Sequence, residues 1–450
     1  MRFGMFYEHQ LPRPWEAGAE QKLIQDALEQ TELADRVGIE YVWEVEHHFL
    51  EEYAHSSAPE VFLAAVSQRT QNIRLGHGII QTAPAYNHPA RTAERIATLD
   101  LVSNGRVDFG SGESSSAAEL GGFNIDPVDK REAWREGLEV AIRCLTEEPF
   151  RGVDGKYVQM PPRNVVPKPV QKPHPPLWVA CSRRETILLA AELGIGALGF
   201  AFVDPEEAMK WVGDYQQTLA EKCLPIGHEI NHDIACVTTM MCHHDEREAI
   251  TRGLEGCNFF GYSLAHYYVF GDHRPAQTNV WQEFQAKRAE KGYDPAVEIA
   301  IQQKTLGAKL AAGETQGLRG AIGTPEQIRA FIRRYEEAGV DQLIFVLQAG
   351  NNRHEHIMES IELFGREVLP EFKERDEKLR TEKARRLEPT IEAALARRSD
   401  YSQEMPEDYV VEALPRQAIK AIQGDERLEQ IREQTAVGDP MRAITKIADG

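Results

Sequence analysis

IRLGHGIIQTAPAYNHPARTAERIATLDLVSNGRVDFGSG, residues 73–112, reads as one complete strand–helix–strand unit. Ile73 to Thr82 is an apolar, β-branched run of strand length, and His88 to Val102 has a helical period with Pro89 near its start. The turn at Ser103–Gly105 follows the helix, and Arg106 to Gly112 is the next strand. A strand that returns parallel to its predecessor through a helix is the right-handed crossover of α/β proteins.

The same unit recurs on both sides. Arg2 to Tyr7 is the first strand, and the helix after it, Ala19 to Val37, presents Leu23, Ala27, Leu28, Thr31, Ala34 and Val37 as an inward stripe that Gly38 ends. Ile39 to Glu46 is the second strand and runs into His47 and His48; Pro59 then opens a helix to about Arg69. After a helix from Lys130 to Glu147, DGKY predicts a hairpin turn, and seven prolines between Pro161 and Pro176 predict an extended surface loop. Leu177–Ser182, Gly196–Phe202, Asp233–Cys242 and Asp341–Gln348 are strands five to eight, with helices at Glu185–Leu193, Pro205–Leu219 and His354–Leu369. Eight units predict closure into a (β/α)8 TIM barrel over residues 1–372. Between strands seven and eight, about 244–318, the chain is aromatic and poor in periodicity around Tyr262 to Trp281, which predicts a lid-like insertion. Residues 373–450 read as a charged, largely helical C-terminal extension without a core of its own.

Composition narrows the function. Of 450 residues, 51 are Lys or Arg and 71 Asp or Glu, a formal charge of −20 that repels a polyphosphate backbone and argues against nucleic acid. No apolar run approaches the roughly 18 residues of a membrane helix, and the first residues lack a secretory pattern, so no membrane association and a cytoplasmic protein are expected. Six cysteines without tight spacing are expected to be reduced, most of them buried, and no catalytic metal is expected.

In such barrels the reacting groups lie on the loops after the strands. There the sequence places Glu46, His47 and His48, then Gly110 to Ser116, then Cys181 to Arg184. Histidine at a strand exit suits proton transfer near neutrality, and strand alternation predicts that one of the His47–His48 pair faces the mouth while the other is structural. Gly110, Gly112 and Ser114–Ser116, with Arg131 and the helix start at Ser182 to Thr186, can hold a phosphate or equally form a plain turn with surface arginines.

FGMFYEHQ, YVWEVEHHF, residues 73–112, PPLWVACS and GTPEQIRAFIRRYEEAGVDQLIF together resemble the bacterial luciferase-like flavin-dependent monooxygenases, in order from residue 1 to about 372. The resemblance implies a two-component enzyme. Reduced FMN from a separate NAD(P)H-dependent flavin reductase reacts with O2 to a C4a-peroxyflavin, which oxygenates a small organic substrate. It implies His47 as the catalytic acid or base, with Glu46 and His48 flanking it. Arg131, the Cys181 amide, Ser182 and Thr186 are the implied phosphate ligands, and Gly78–Ile79 is implied as a non-prolyl cis bond beneath the flavin ring.

Two positions depart from the light-emitting members: Gly112 replaces a cysteine near the flavin and Glu113 a phosphate-binding arginine. A carboxylate beside a phosphate is unfavourable unless it points away, which shifts the expected grip to Arg131 and the serines. Phe6, Trp43, Phe49, Phe200, Tyr267 and Tyr268 are the expected aromatic lining. The alternatives are an F420-dependent oxidoreductase on the same barrel and a non-catalytic flavin-binding subunit. A homodimer or larger homo-oligomer is expected from the resemblance.

Overall fold

Alternation along each short run decides which side chains meet the helices and which fill the ring. In β2 (Tyr41–Glu44) Val42 joins the core under the helices, while Tyr41 and Trp43 join a second core inside the ring. The computed structural model describes residues 1–200, 204–290, 320–398 and 404–437. The other ring strands are β1 (Arg2–Tyr7), β3 (Arg74–His77), β4 (Val107–Gly112), β5 (Leu177–Cys181), β6 (Gly196–Phe200), β7 (Ile234–Cys242) and β8 (Gln342–Val346). Each pairs in parallel with the next, and β8 returns to β1 with Arg2 opposite Gln342. The result is the expected closed eight-stranded α/β barrel.

The helices are α1 (Ala19–Val37), α2 (Pro59–Arg69), α3 (Pro89–Val102), α4 (Ala117–Gly122), α5 (Lys130–Thr146), α6 (Arg184–Leu193), α7 (Pro205–Lys222), α8 (Glu246–Ala265), α9 (Val280–Glu290), α10 (Pro325–Glu337), α11 (His354–Glu367) and α12 (Leu369–Ala396). Local chemistry sets their ends. Gly38 takes φ 97°, left-handed backbone that closes α1, and Pro59 and Pro89 occupy first-turn positions where no N–H is needed. DGKY forms the expected hairpin, Val153–Asp154 antiparallel to Gln159–Met160.

The ring interior is aromatic. The Trp43 and Trp178 rings meet edge to face at 5.3 Å, and Tyr41 stacks on Trp43 at 5.9 Å. Glycine makes this possible: a Cβ at Gly76 would lie 2.2 Å from the Trp43 indole, and one at Gly196 would lie 2.4 Å from the Trp178 indole.

Four expectations are corrected. The strand Ile73–Thr82 is broken: β3 ends at His77, and Ile80–Gln81 resumes alone against β4. The Gly78–Ile79 bond is trans, the cis bonds being Arg13–Pro14, Glu148–Pro149, Val166–Pro167 and Lys172–Pro173. With that trans bond the Gly78 amide donates to the Glu44 carbonyl at 2.7 Å and the Ile79 carbonyl accepts from the Glu46 amide at 3.0 Å, whereas a non-prolyl cis bond would cost about 3–4 kcal/mol.

The segment after β7 is not irregular at its start. It holds α8 and a π-helical turn, His266–Phe270, then α9, and α10 precedes β8. Aromatic residues buried on several sides of α8, Phe259 and Phe260 among them, blur the one-sided stripe that marks a surface helix. The remainder of the expected insertion, 291–319, and Ala201 to Val203 after β6 lie outside the described residues.

The expected boundary at residue 372 falls inside α12, because Phe372 is fully buried in the barrel's outer core and α12 continues along the barrel. The two compact units are Met1–Tyr401 and Ser402–Gly450. The second contains helices Leu414–Gln423 and Asp425–Val437. Among the described residues no helix is long and apolar enough to cross a membrane, and all six cysteines are buried and outside any disulfide.

At the N-terminal end of the ring, Lys383 of α12 donates to both Asp341 carboxylate oxygens at 2.6 and 2.7 Å and to the His232 carbonyl at 3.0 Å. Arg2 donates to Asp233 at 2.6 Å beside it. Removing one partner of a mostly buried ion pair leaves the other charge uncompensated. Lys383→Met is therefore expected to destabilise the protein by about 3 kcal/mol in urea unfolding, and an effect within measurement error would show that α12 is not a structural strap.

Candidate active site

Ladder geometry brings the exits of β1 and β2 together. The Val45 amide donates to the Tyr7 carbonyl at 3.3 Å, the Glu46 amide to the Ile79 carbonyl at 3.0 Å and the His47 amide to the Ser56 carbonyl at 2.7 Å. The Glu46 carboxylate then joins the next loop: it accepts from the Gln81 amide at 2.7 Å and the Asn87 side-chain amide at 2.9 Å, and pairs with His48 Nε2 at 3.1 Å. Glu46 is a brace, and it fixes where its neighbour His47 stands.

His47 is clamped between two carboxylates. Its Nδ1 lies 3.0 Å from Oε1 of Glu119, a buried residue of α4, and its Nε2 lies 3.6 Å from Oε2 of Glu8, just past β1. Glu119 also accepts from the His48 amide at 3.0 Å and the Ser114 hydroxyl at 2.6 Å, while Glu8 accepts from the Tyr53 hydroxyl at 2.8 Å. The Tyr53 and Tyr268 rings stand 5.8 and 6.4 Å from the imidazole.

These contacts set the charge states. Burial alone would hold His47 down, but the charges of Glu119 and then Glu8 outweigh it and raise its pKa to about 9. Burial lifts the Glu8 carboxyl to about 7 against the pull of His47. For Glu119 burial also acts upward, yet His47 and the bonds it accepts leave it below the usual carboxylate value. At neutral pH the arrangement is an imidazolium held by an ionised Glu119, able to give a proton from Nε2.

The two histidines turn to different partners, although strand alternation does not produce this, because β2 ends at Glu44. His47 turns to Glu8 and Glu119; His48 turns to Glu46, stacks on Tyr86 and meets Phe123 edge-on at 4.9 Å.

Of the other expected site residues, Gly78, Ile79 and Gly112 come together at the β3–β4 break. A Cβ on Gly112 would lie 2.9 Å from Ile79 Cγ1 and Cδ1, and one on Gly78 would lie 3.2 Å from the Phe6 ring. Arg131 is half-exposed and bonded through Nε and Nη2 to Glu113 at 3.0 and 2.8 Å. Glu113 does not point away from the cations: Lys130 Nζ lies 3.6 Å from it and also donates to the Ser114 carbonyl at 2.8 Å and the Ser115 hydroxyl at 3.1 Å.

On the neighbouring strand, Cys181 ends β5 opposite Gly199 with its thiol buried and pushed up to about 12 by burial. Ser182 is exposed. The Thr186 hydroxyl is occupied, donating to the Arg183 carbonyl at 2.7 Å and accepting from the Arg183 amide at 3.3 Å at the start of α6. The ridge beyond β4 and β5 thus carries hydroxyls and four cations, Lys130, Arg131, Arg183 and Arg184, of which Lys130 and Arg131 are paired with Glu113 and Arg184 with Asp214.

Two buried atoms near this ridge, Ser116 Oγ and Gln81 Oε1, have no hydrogen-bond partner among the described residues, and Gln81 lies opposite Gly112 in the ladder. Buried polar atoms left without partners fit a site that receives a polar ligand.

Among the expected aromatic lining, Phe6 and Trp43 belong to the ring core, Tyr267 and Tyr268 pack against it, and Phe49 is 55% exposed. The side chain of Phe200 lies outside the described residues. Sequence reading missed Glu8, Tyr53 and Glu119. A signal for Glu8 exists, since Glu-His pairs occur just beyond both β1 and β2, at Glu8–His9 and Glu46–His47. None exists for Glu119, which lies 72 residues from His47 on a one-turn helix.

The family model described as luciferase-like monooxygenase matches residues 1–342. The chain is 33% identical over 191 residues to the uncharacterized protein y4wF of Sinorhizobium fredii, covering 42% of this chain and about half, 53%, of that relative's length. It is 25% identical over 386 residues to the oxygenase component of the flavin-dependent trigonelline monooxygenase of Acinetobacter baylyi, covering 83% and 96% of the two chains. The crystal structure of monooxygenase RslO1 from Streptomyces bottropensis superposes with TM-score 0.64 at 25% identity, covering 83% of this chain and all of that one.

The His47 clamp has a thermodynamic signature. Its folded-state pKa of about 9 lies above the ordinary 6.5, so its stabilisation is complete below about pH 6.5 and is lost as pH rises through about 9. Glu119→Gln should remove most of the decline in unfolding free energy between about pH 7 and 9, measured by urea denaturation; an unchanged slope would contradict the clamp.

Proposed function

The chain belongs to the luciferase-like monooxygenase family, and on that premise we propose that it is the oxygenase component of a two-component system that uses reduced FMN and O2 to oxygenate a small organic substrate. The observation that carries this reading is the imidazole of His47 at the barrel mouth, 3.0 Å from Glu119 and within reach of Glu8. Delivery of the cofactor by a separate NAD(P)H-dependent reductase is supported by the relative's designation as an oxygenase component.

The isoalloxazine would lie against Gly78, Ile79 and Gly112, where the missing Cβ of Gly112 lets the Ile79 side chain pack directly on the strand. Its phosphate would be held by Arg131 with Lys130, Ser182 and the serines after β4; Cys181 would contribute only backbone, and Thr186 would act by fixing the start of α6. Bound reduced FMN supplies the two electrons that activate dioxygen. Tyr53, Tyr267 and Tyr268 wall the space around His47 and exclude water, and His47 Nε2–H is the proton donor at the reacting oxygen.

Incorporation of label from 18O2 into a panel of small organic compounds, with FMN and a flavin reductase, tests the activity. His47→Gln should lower turnover by about 100-fold or more while leaving reduced-FMN binding unchanged; wild-type turnover would remove His47 from the chemistry, and reduction by F420H2 alone would replace the cofactor assignment. The phosphate assignment makes an opposite-direction prediction. Glu113→Gln frees Arg131 and Lys130 and should tighten FMN binding by about fivefold, or about 1 kcal/mol, whereas weakened binding would place the phosphate elsewhere.

We further propose that the protein is a homo-oligomer, supported by Val61 of α2 and Leu101 and Val102 of α3, which expose apolar side chains.

A further inference from the structure

The two carboxylates on His47 are not equivalent. Glu119 is saturated: Nδ1 of His47, the His48 amide and the Ser114 hydroxyl all point to it. Glu8 is 1% exposed and accepts one hydrogen bond, from the Tyr53 hydroxyl on Oε1. Its Oε2 has no hydrogen bond, and His47 Nε2, at 3.6 Å, is the cation it faces. A buried carboxylate oxygen so poorly solvated is a strong proton acceptor.

The other titratable groups around the pair are committed. Glu44 is tied to His9 at 2.9 Å, Glu46 to His48 at 3.1 Å, and the phenols of Tyr53 and Tyr268 are held neutral by burial. Tyr53 faces Glu8 as a donor, and Glu44 and Glu119 repel its negative charge. Glu46 adds to the negative field on His47.

We propose that Glu8 is a proton-sharing partner of His47, so that the proton on Nε2 moves between the imidazole and the Glu8 carboxylate. In the transfer the Nε2–H bond breaks and its electron pair stays on nitrogen, while a lone pair of Glu8 Oε2 forms the new O–H bond. His47 is left neutral with its remaining proton on Nδ1, directed at Glu119, and Glu8 becomes a neutral carboxylic acid. Closing 3.6 Å to a hydrogen bond needs a movement of about 0.8 Å, within the reach of a side-chain rotation. Glu8 acts through His47 and is a positioning residue. It sets when Nε2 carries a proton and when it offers a lone pair, and it returns the shared proton to Nε2 when the transfer reverses.

The catalytic meaning rests on the proposed flavin function, but the proton sharing is a property of the protein alone and is tested without cofactor. In protein labelled at histidine with 15N, His47 Nε2 should follow two coupled steps in wild type. Glu8→Gln should leave one step, moved down by about one pH unit or more, a tenfold change in proton affinity. Tyr53→Phe is the independent variant: losing the donor to Glu8 makes the carboxylate more basic and should move the lower step upward. In FMN-supported turnover Glu8→Gln should reshape the pH profile, whereas a merely structural Glu8 would lower the rate by one factor at every pH. An unchanged His47 titration in both variants overturns the proposal. A titration that responds in a protein without FMN-dependent turnover supports the sharing and removes the flavin reading instead.

Discussion

The structure turns on the seating of one imidazole between two carboxylates that come from distant parts of the chain. Glu8 follows β1, His47 follows β2 and Glu119 sits on a one-turn helix after β4. Only closure of the ring makes them neighbours. The cost of burying these charges is offset because each has a partner: Glu119 collects three donors, Glu46 braces the loops after β2 and β3, and His9 pairs with Glu44. Loss of one member leaves the others buried without compensation, so the mouth is a cooperative unit.

The two ends of the barrel divide the work. At the N-terminal end, Arg2, Asp233, Asp341 and Lys383 neutralise one another, and α12 lies across them. Between the ends the interior is filled by Tyr41, Trp43 and Trp178, which requires glycine at 76 and 196. At the C-terminal end Glu8 Oε2, Gln81 Oε1 and Ser116 Oγ lack hydrogen bonds among the described residues. Chemistry in this architecture belongs at that end, where loops vary without disturbing the ladder.

Much of this was legible in the sequence because local pattern specifies it. The strand–helix repeat, the stop at Gly38, the DGKY hairpin and the position of His47 at a strand exit follow from periodicity and turn residues. What was not legible depends on distance in the chain. Residues of α8 are buried on several sides, so its period is masked, and the long charged helix α12 hides its docking residues, Phe372 and Lys383, in a solvated pattern. Glu119 carries no local mark of its role. Glu113, which a family pattern would place in conflict with a phosphate, is held by Lys130 and Arg131, so its effect is to occupy the cations that a phosphate would use.

The account is tested most directly by a crystal structure of the protein with FMN. It predicts the isoalloxazine against Ile79 and Gly112, with His47 Nε2 facing the ring and the phosphate beside Arg131 and Ser182 in place of the Glu113 contact. A ring bound elsewhere, or a mouth in which Glu8, His47 and Glu119 do not meet, would contradict it.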